Sequence, residues 1–142
     1  MTGYLLDTNV VSEARKGLRA DAGVRAWMAD LDDDELFLSV LTVGELHTGV
    51  ERIRRRDPVA AGQLDTWLDR LLVIHSDRIL DIDLAVVRCW AAMNVPDPMP
   101  VIDGLIAATA LTHDLTVATR NVRDFHGSGA RVVNPFTDGR VG

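Results

Sequence analysis

The sequence predicts an α/β domain with a central parallel sheet, and three observations predict it. Short apolar runs that read as strands, at 4–6, 36–40 and around 116–118, alternate with longer stretches of helical periodicity. Strands that alternate with helices are joined by right-handed crossovers into a parallel sheet. Acids and amides follow the ends of two of these strands, Asp7 and Asn9 after the first and Asn121 and Asp124 after "TVAT". In such sheets ligands collect outside the carboxyl ends of the strands.

The elements follow in order. Residues 4–6 form the first strand, and "VVSEARKG" gives a short helix ending near Gly17. "DAGVRAWMADL" places Val24, Trp27, Met28 and Leu31 on one helical face. The acids Asp32 to Glu35 make a loop before the strand "LFLSV". A helix through "LTVGELHTGVERIRRR" stops at Asp57-Pro58, and Pro58 suits the first turn of the next helix, which carries Leu64, Trp67, Leu68, Leu71 and Leu72. "RILDID" reads as a short strand, after which Asp83 caps the helix "LAVVRCWAAM". A proline-punctuated loop leads to the apolar helix "VIDGLIAATALTHD", and "LTVATRN" and "ARVVNPF" contain the last two strands. No repeat or linker interrupts the 142 residues, so the expectation is one domain over 1–142, with residues from about 135 onward a loose tail.

The bulk numbers exclude several classes. No apolar run reaches the length of a membrane span, and the first residues lack the pattern of a secretory signal. Cys89 is the single cysteine and sits in a helix-core context, so no internal disulfide forms and a cytoplasmic location is expected. The net charge is −6, from 21 acids against 15 bases. Such a balance does not favour nucleic acid overall, although a local basic strip is compatible with it.

Four acids stand out by position. Asp7 ends the first strand, where burying a carboxylate is costly without compensation. Glu45 lies near the start of its helix, and alone it reads as a solvated first-turn acid. Asp103 heads the otherwise apolar stripe Ile106, Ala107, Ala110 and Leu111, and it fits an N-cap equally well. Asp124 follows the late strand. All four fall at one end of a parallel sheet. Carboxylates gathered there repel one another unless a cation or protons compensate. Oxygen-only donors suit Mg²⁺ or Mn²⁺ rather than zinc.

Five segments carry a resemblance: "LLDTNVV", "SVLTVGEL", "VIDGLIAATAL", "VATRNVRDF" and "VVNPF". In this order they resemble the PIN-domain ribonucleases, specifically the VapC-type toxins of bacterial toxin–antitoxin pairs. The resemblance implies a PIN-like three-layer α/β/α sandwich and an endoribonuclease that uses Mg²⁺ or Mn²⁺ to activate water. Asp7, Glu45, Asp103 and Asp124 would be its acids, with Asp7 and Asp103 as direct metal ligands. Thr8, Asn9, Thr119 and Asn121 would be supporting polar groups. The resemblance also implies an antitoxin partner, an RNA substrate, a homodimer and a toxin–antitoxin hetero-oligomer. Candidate RNA-phosphate contacts are Arg15, Lys16, Arg19, Arg120 and Arg123.

Other chemistries lack their residues. The histidines His47, His75, His113 and His126 do not form a His-Glu-x-x-His zinc pattern, and structural or surface roles are expected for them. No Gly-x-Ser-x-Gly occurs. A receiver-like signalling module would want two adjacent acids after its first strand and a lysine after a late one, yet the only lysine is Lys16. An inactive scaffold of the same fold, used only for partner binding, remains as the other alternative. Asp81 and Asp83 are competing strand-end acids that need no function, and Asp32 to Glu35 read as a solvated turn.

Overall fold

A computed structural model describes residues 3–138, apart from the side chain of Asp138. The strands are β1 (Tyr4–Leu6), β2 (Leu36–Ser39), β3 (Ile79–Leu80), β4 (Thr116–Ala118) and β5 (Val132–Val133). They form one sheet in the order β3-β2-β1-β4-β5, every pairing parallel. The helices are α1 (Thr8–Ala14), α2 (Ala22–Ala29), α3 (Val40–Arg54), α4 (Pro58–Ile74), α5 (Leu84–Met93), α6 (Val101–Thr112) and α7 (Pro135–Asp138).

The period-two alternation of the strands divides the interior into two cores. Leu6, Leu36, Leu38 and Ala118 point to one face, where they meet Val10 and Val11 of α1, Val24 of α2, Leu46 of α3 and Leu68 of α4. Leu5 and Val117 point to the other, against Ile106, Ala107 and Ala110 of α6. The result is the expected three-layer α/β/α sandwich. Helix α6 is buried more broadly than a single stripe. Gly104 and Ile106 to Ala110 are all buried, whereas Leu111, expected to face inward, is 40% exposed. Here the helix covers the centre of the sheet, and its inward arc widens and ends one residue earlier.

Two expectations are corrected. The chain from 135 is not loose at its start. Pro135–Asp138 form α7, and Phe136 is 5% exposed within the first core. Asn134 accepts a hydrogen bond from the Phe136 amide at 3.0 Å, and α7 rests on α2 so closely that a Cβ on Gly23 would lie 2.6 Å from the Phe136 carbonyl oxygen. Residues 139–142 of the expected tail lie outside the described residues. The second concerns the expected homodimer, for which the sequence offers exposed helix faces around Leu46, Val50 and Trp67. Leu46 and Val50 are buried, because their side of α3 packs into the core beneath α4.

Candidate active site

The carboxyl ends of β1, β2 and β4 bring the predicted residues together. Asp7 follows β1 directly, and its amide donates to the Ala118 carbonyl at 2.9 Å, which continues the β1–β4 pairing. Its side chain is the N-cap of α1, so Oδ1 accepts from the Thr8 amide at 2.9 Å. Oδ2 accepts from Thr119 Oγ1 at 2.8 Å and from Asn9 Nδ2 at 3.3 Å. Asp7 is therefore a mostly buried carboxylate with neutral donors on both oxygens and no ion pair among the described residues.

The supporting residues form a connected network. Thr119 is fully buried, and its Oγ1 also accepts from the Asn121 amide at 3.0 Å and from Asn9 Nδ2 at 3.2 Å. Asn9 Oδ1 accepts from the Arg120 amide at 3.0 Å. Thr8 Oγ1 donates to Glu45 Oε1 at 2.6 Å, a short charge-assisted bond that joins α1 to α3. Thr8, Asn9 and Thr119 thus hold the acids. Asn121 contributes its backbone amide.

Asp103 resolves between its two readings. Pro100 flanks the start of α6, so Asp103 lies within the first turn rather than at the N-cap. Its carboxyl is held above the usual carboxylate range, first by burial and then by the negative charges of Asp7, Asp124 and Glu45. Those three come from the end of β1, from α3 and from the turn Val122–Phe125, so four distant segments share one electrostatic environment. Glu45 and Asp124 stand at its exposed side.

The four acids share a field but do not close into a tight cage. Among the described residues, no three of them bring oxygens within 4.8 Å of one another. The compact acidic trio is instead Asp32, Asp34 and Glu35. That trio precedes β2 and therefore sits at the opposite end of the sheet. Its contacts are those of a capping box, with Glu35 Oε1 accepting from the Asp32 amide at 3.1 Å. It reads as a solvated turn. Asp83, as expected, caps α5 through the Val86 amide at 3.0 Å, and Asp81 is exposed.

The donor chemistry of the four acids fits a hard divalent cation. All donors are oxygens, the field on Asp103 is unrelieved, and an open arrangement leaves room for the waters that such cations retain.

The basic candidates separate by setting. Arg15 lines a cavity of about 260 Å³ that also touches Thr8 and Glu45. Arg123 is exposed in the turn beside Asp124. Lys16 pairs with Glu13 at 3.0 Å, and the Asp21 amide first, then Lys16, lowers the Glu13 pKa. The Arg120 guanidinium lies over the Phe136 ring at 3.9 Å. Arg19 is exposed in the turn after α1, at the far end of that helix from Asp7.

Comparison with known proteins decides the family. The PIN domain family model matches residues 4–126. This chain belongs to the PIN-domain family. Toxin FitB of Neisseria gonorrhoeae is 35% identical over 141 residues, covering 94% of this chain and 99% of that protein. VapC ribonuclease Y4jK of Sinorhizobium fredii is 33% identical over 139 residues, covering 93% and 96%. The crystal structure of FitAcB from Neisseria gonorrhoeae matches with a TM-score of 0.86 at 34% identity, covering 94% of this chain and 99% of that one. The PIN assignment excludes the receiver-like alternative. Among the described residues, no helix is long and apolar enough to cross a membrane.

The one feature of this region that sequence reasoning did not foresee is the Thr8–Glu45 bond across 37 positions. A threonine directly after the strand-end acid was its only signal.

Proposed function

We propose that the protein is a metal-dependent endoribonuclease acting as the toxin of a type II toxin–antitoxin pair in the cytoplasm. The observation that carries this reading is the gathering of Asp7, Glu45, Asp103 and Asp124, from four separate segments, around the carboxyl ends of the strands. The PIN-domain membership and the relatives named toxin FitB and VapC ribonuclease support it. In this reading Asp7 and Asp103 hold Mg²⁺ or Mn²⁺, and Glu45 and Asp124 orient waters or a second ion. The bound ion would supply Lewis-acid polarisation of the phosphoryl oxygen and a lowered water pKa.

The chain's own residues do the rest. Thr119, Asn9 and the Thr8 amide donate to Asp7 and fix the direction of its lone pairs. Thr8 aims Glu45 toward the same space. Arg15 and Arg123 flank the acids and would contact RNA phosphates, with Lys16, Arg19 and Arg120 as more distant or already engaged contributors. A cationic antitoxin segment would relieve the same negative field. The structure of FitAB bound to an IR36 DNA fragment, 32% identical with a TM-score of 0.84, supports assembly with a partner protein. The toxin alone is expected to form a homodimer, which sedimentation would test.

The deciding experiment incubates the purified protein and its Asp7→Asn variant with total RNA and Mg²⁺. Discrete fragments from the wild type only, lost in excess chelator, are expected. Equal cleavage by both proteins, or full cleavage in chelator, would overturn the assignment. Intact RNA throughout would favour the inactive scaffold.

A further inference from the structure

The Thr8–Glu45 hydrogen bond borders a cavity that the acid network does not use. It has a volume of about 260 Å³ and lies between α1, α3 and α4. Thr8, Ser12 and Arg15 line it from one face of α1, and Glu45 and Gly49 line it from one face of α3. Both helices start at the carboxyl end of the sheet, so the cavity leads away from the acids along their facing sides. Arg15 stands roughly 10 Å farther along α1 than Thr8, at 1.5 Å rise per residue.

The wall chemistry is mixed. Leu46 and Val50 are buried and give an apolar floor, and half-buried Leu64 and Trp67 close the side of α4. Ser12 Oγ has no hydrogen-bond partner among the described residues. It is not one of the unpartnered atoms shut off from water, which are Thr42 Oγ1, His75 Nε2 and Trp90 Nε1. Its hydroxyl is therefore a water-accessible donor and acceptor. The Arg15 guanidinium is exposed and forms no ion pair among the described residues. Beyond its own helix, no atom lies within 4 Å of the place that a Gly49 Cβ would take, so this stretch of α3 is open.

An apolar cavity of about 150 Å³ accepts benzene, so the larger one here has room for a planar heterocycle. The apolar side chain of a partner protein would strip water from Ser12 without replacing the lost bond. A nucleobase avoids that loss, because it has a π face for Trp67 and polar edge atoms for Ser12. Its strand must also pass the acids, and Glu45 belongs to both places.

We propose that this cavity is the subsite for one single-stranded nucleobase of the RNA, the one next to the scissile phosphate. Trp67 is its packing surface, Ser12 reads its edge, and Arg15 holds a phosphate farther along the strand. The inference rests on the nuclease reading for its substrate and adds to it a determinant of sequence preference.

The first arm of the test needs no cleavage. The full chain in chelator is titrated with the four uncharged nucleosides, and the amide signals of Ser12, Gly49 and Leu64 are followed with the Trp67 indole N–H. These signals are expected to move, with one nucleoside at least about threefold tighter than the weakest, the scale of one hydrogen bond. Gly49→Leu, which fills the cavity, should abolish the response. The second arm sequences the cut ends from a random RNA pool with Mg²⁺. The wild type is expected to prefer one base about tenfold at one position beside the cut, the scale of one stacked base, and Gly49→Leu and Ser12→Ala should flatten that preference. Wall signals that stay still with every nucleoside, an undiminished response in Gly49→Leu, or an even base distribution beside the cut would overturn the proposal. Movement with N-acetyl-leucinamide and with no nucleoside would give the cavity to a partner protein and overturn it as well. Cleavage without a nucleoside response strikes the subsite alone, and a nucleoside response without cleavage strikes the nuclease reading and keeps the base site. Should Gly49→Leu fail to fold, the wild-type responses and their loss in Ser12→Ala decide the matter.

Discussion

The two ends of the sheet both carry clustered carboxylates, and they differ in what assembles them. At the amino end, Asp32, Asp34 and Glu35 are neighbours in sequence, exposed, and bonded to their own turn. At the carboxyl end, Asp7, Glu45, Asp103 and Asp124 come from four segments, and bonds that span 37, 110 and 112 positions tie the surroundings of Asp7 to Glu45 and to Thr119. Local acidic density satisfies a helix terminus. Long-range convergence raises an electrostatic problem that local contacts do not solve, and that marks a site. The amino-end trio is geometrically the tighter group, so compactness and convergence point to opposite ends of the sheet, and the proposed function follows convergence.

Substitutions can break this contrast. The largest effect is expected from Asp7→Asn, which should lower RNA cleavage by at least about a hundredfold through loss of several kcal/mol of transition-state stabilisation. Asp34→Asn should leave the rate within about twofold, as an exposed residue outside the machinery. Comparable losses from both, measured in the same fragment assay, would erase the distinction between the ends. Thr119→Val comes next. Removing the 2.8 Å bond to Asp7 should cost about 10- to 100-fold in metal affinity or rate, as outer partners of metal ligands generally do. Titration of Mn²⁺ by calorimetry beside the rate assay separates the two.

The third prediction concerns pH and stability in chelator. Because the folded pKa of Asp103 is raised, the folded state holds its proton more tightly than the unfolded state does. Ionised Asp103 therefore destabilises the fold above that pKa, and the penalty disappears as pH falls through it toward the unfolded value. Asp103→Asn should accordingly raise Tm near neutral pH in chelator, with a gain that shrinks on acidification. A gain that stays constant or grows on acidification would contradict the shared field. The smallest effect is expected from Asp32→Ala, which should cost about 1 kcal/mol by removing a cap and should leave cleavage untouched; urea unfolding measures it.

Much of this was legible from the chain. The helix Leu84–Met93 and its Asp83 cap follow from sequence, because an acid before a periodic apolar run is a local signal. The carboxyl-end acids were legible because each stands where a strand meets a helix. Helix α1 was expected from Val10, yet it begins at Thr8 since Asp7 is both site residue and cap. Two features were not legible. Helix α7 is ordered by docking on Gly23, a contact that no local pattern near Phe136 announces, though Asn134-Pro135 hinted at a start. For His75 the sequence left a structural and a surface role both open. Only the packing of α4 over β2 buries it and isolates its second nitrogen.

The stacking of Arg120 on Phe136 has a consequence for the architecture of the whole chain. Arg120 gives its amide to Asn9, Asn9 reaches Asp7, and Phe136 is clamped by the backbone of α2. The last described turn thus braces the first strand end from over a hundred residues away in sequence. Trimming the chain before Pro135 should be felt at residue 7, as a loosened carboxylate in a protein that still folds.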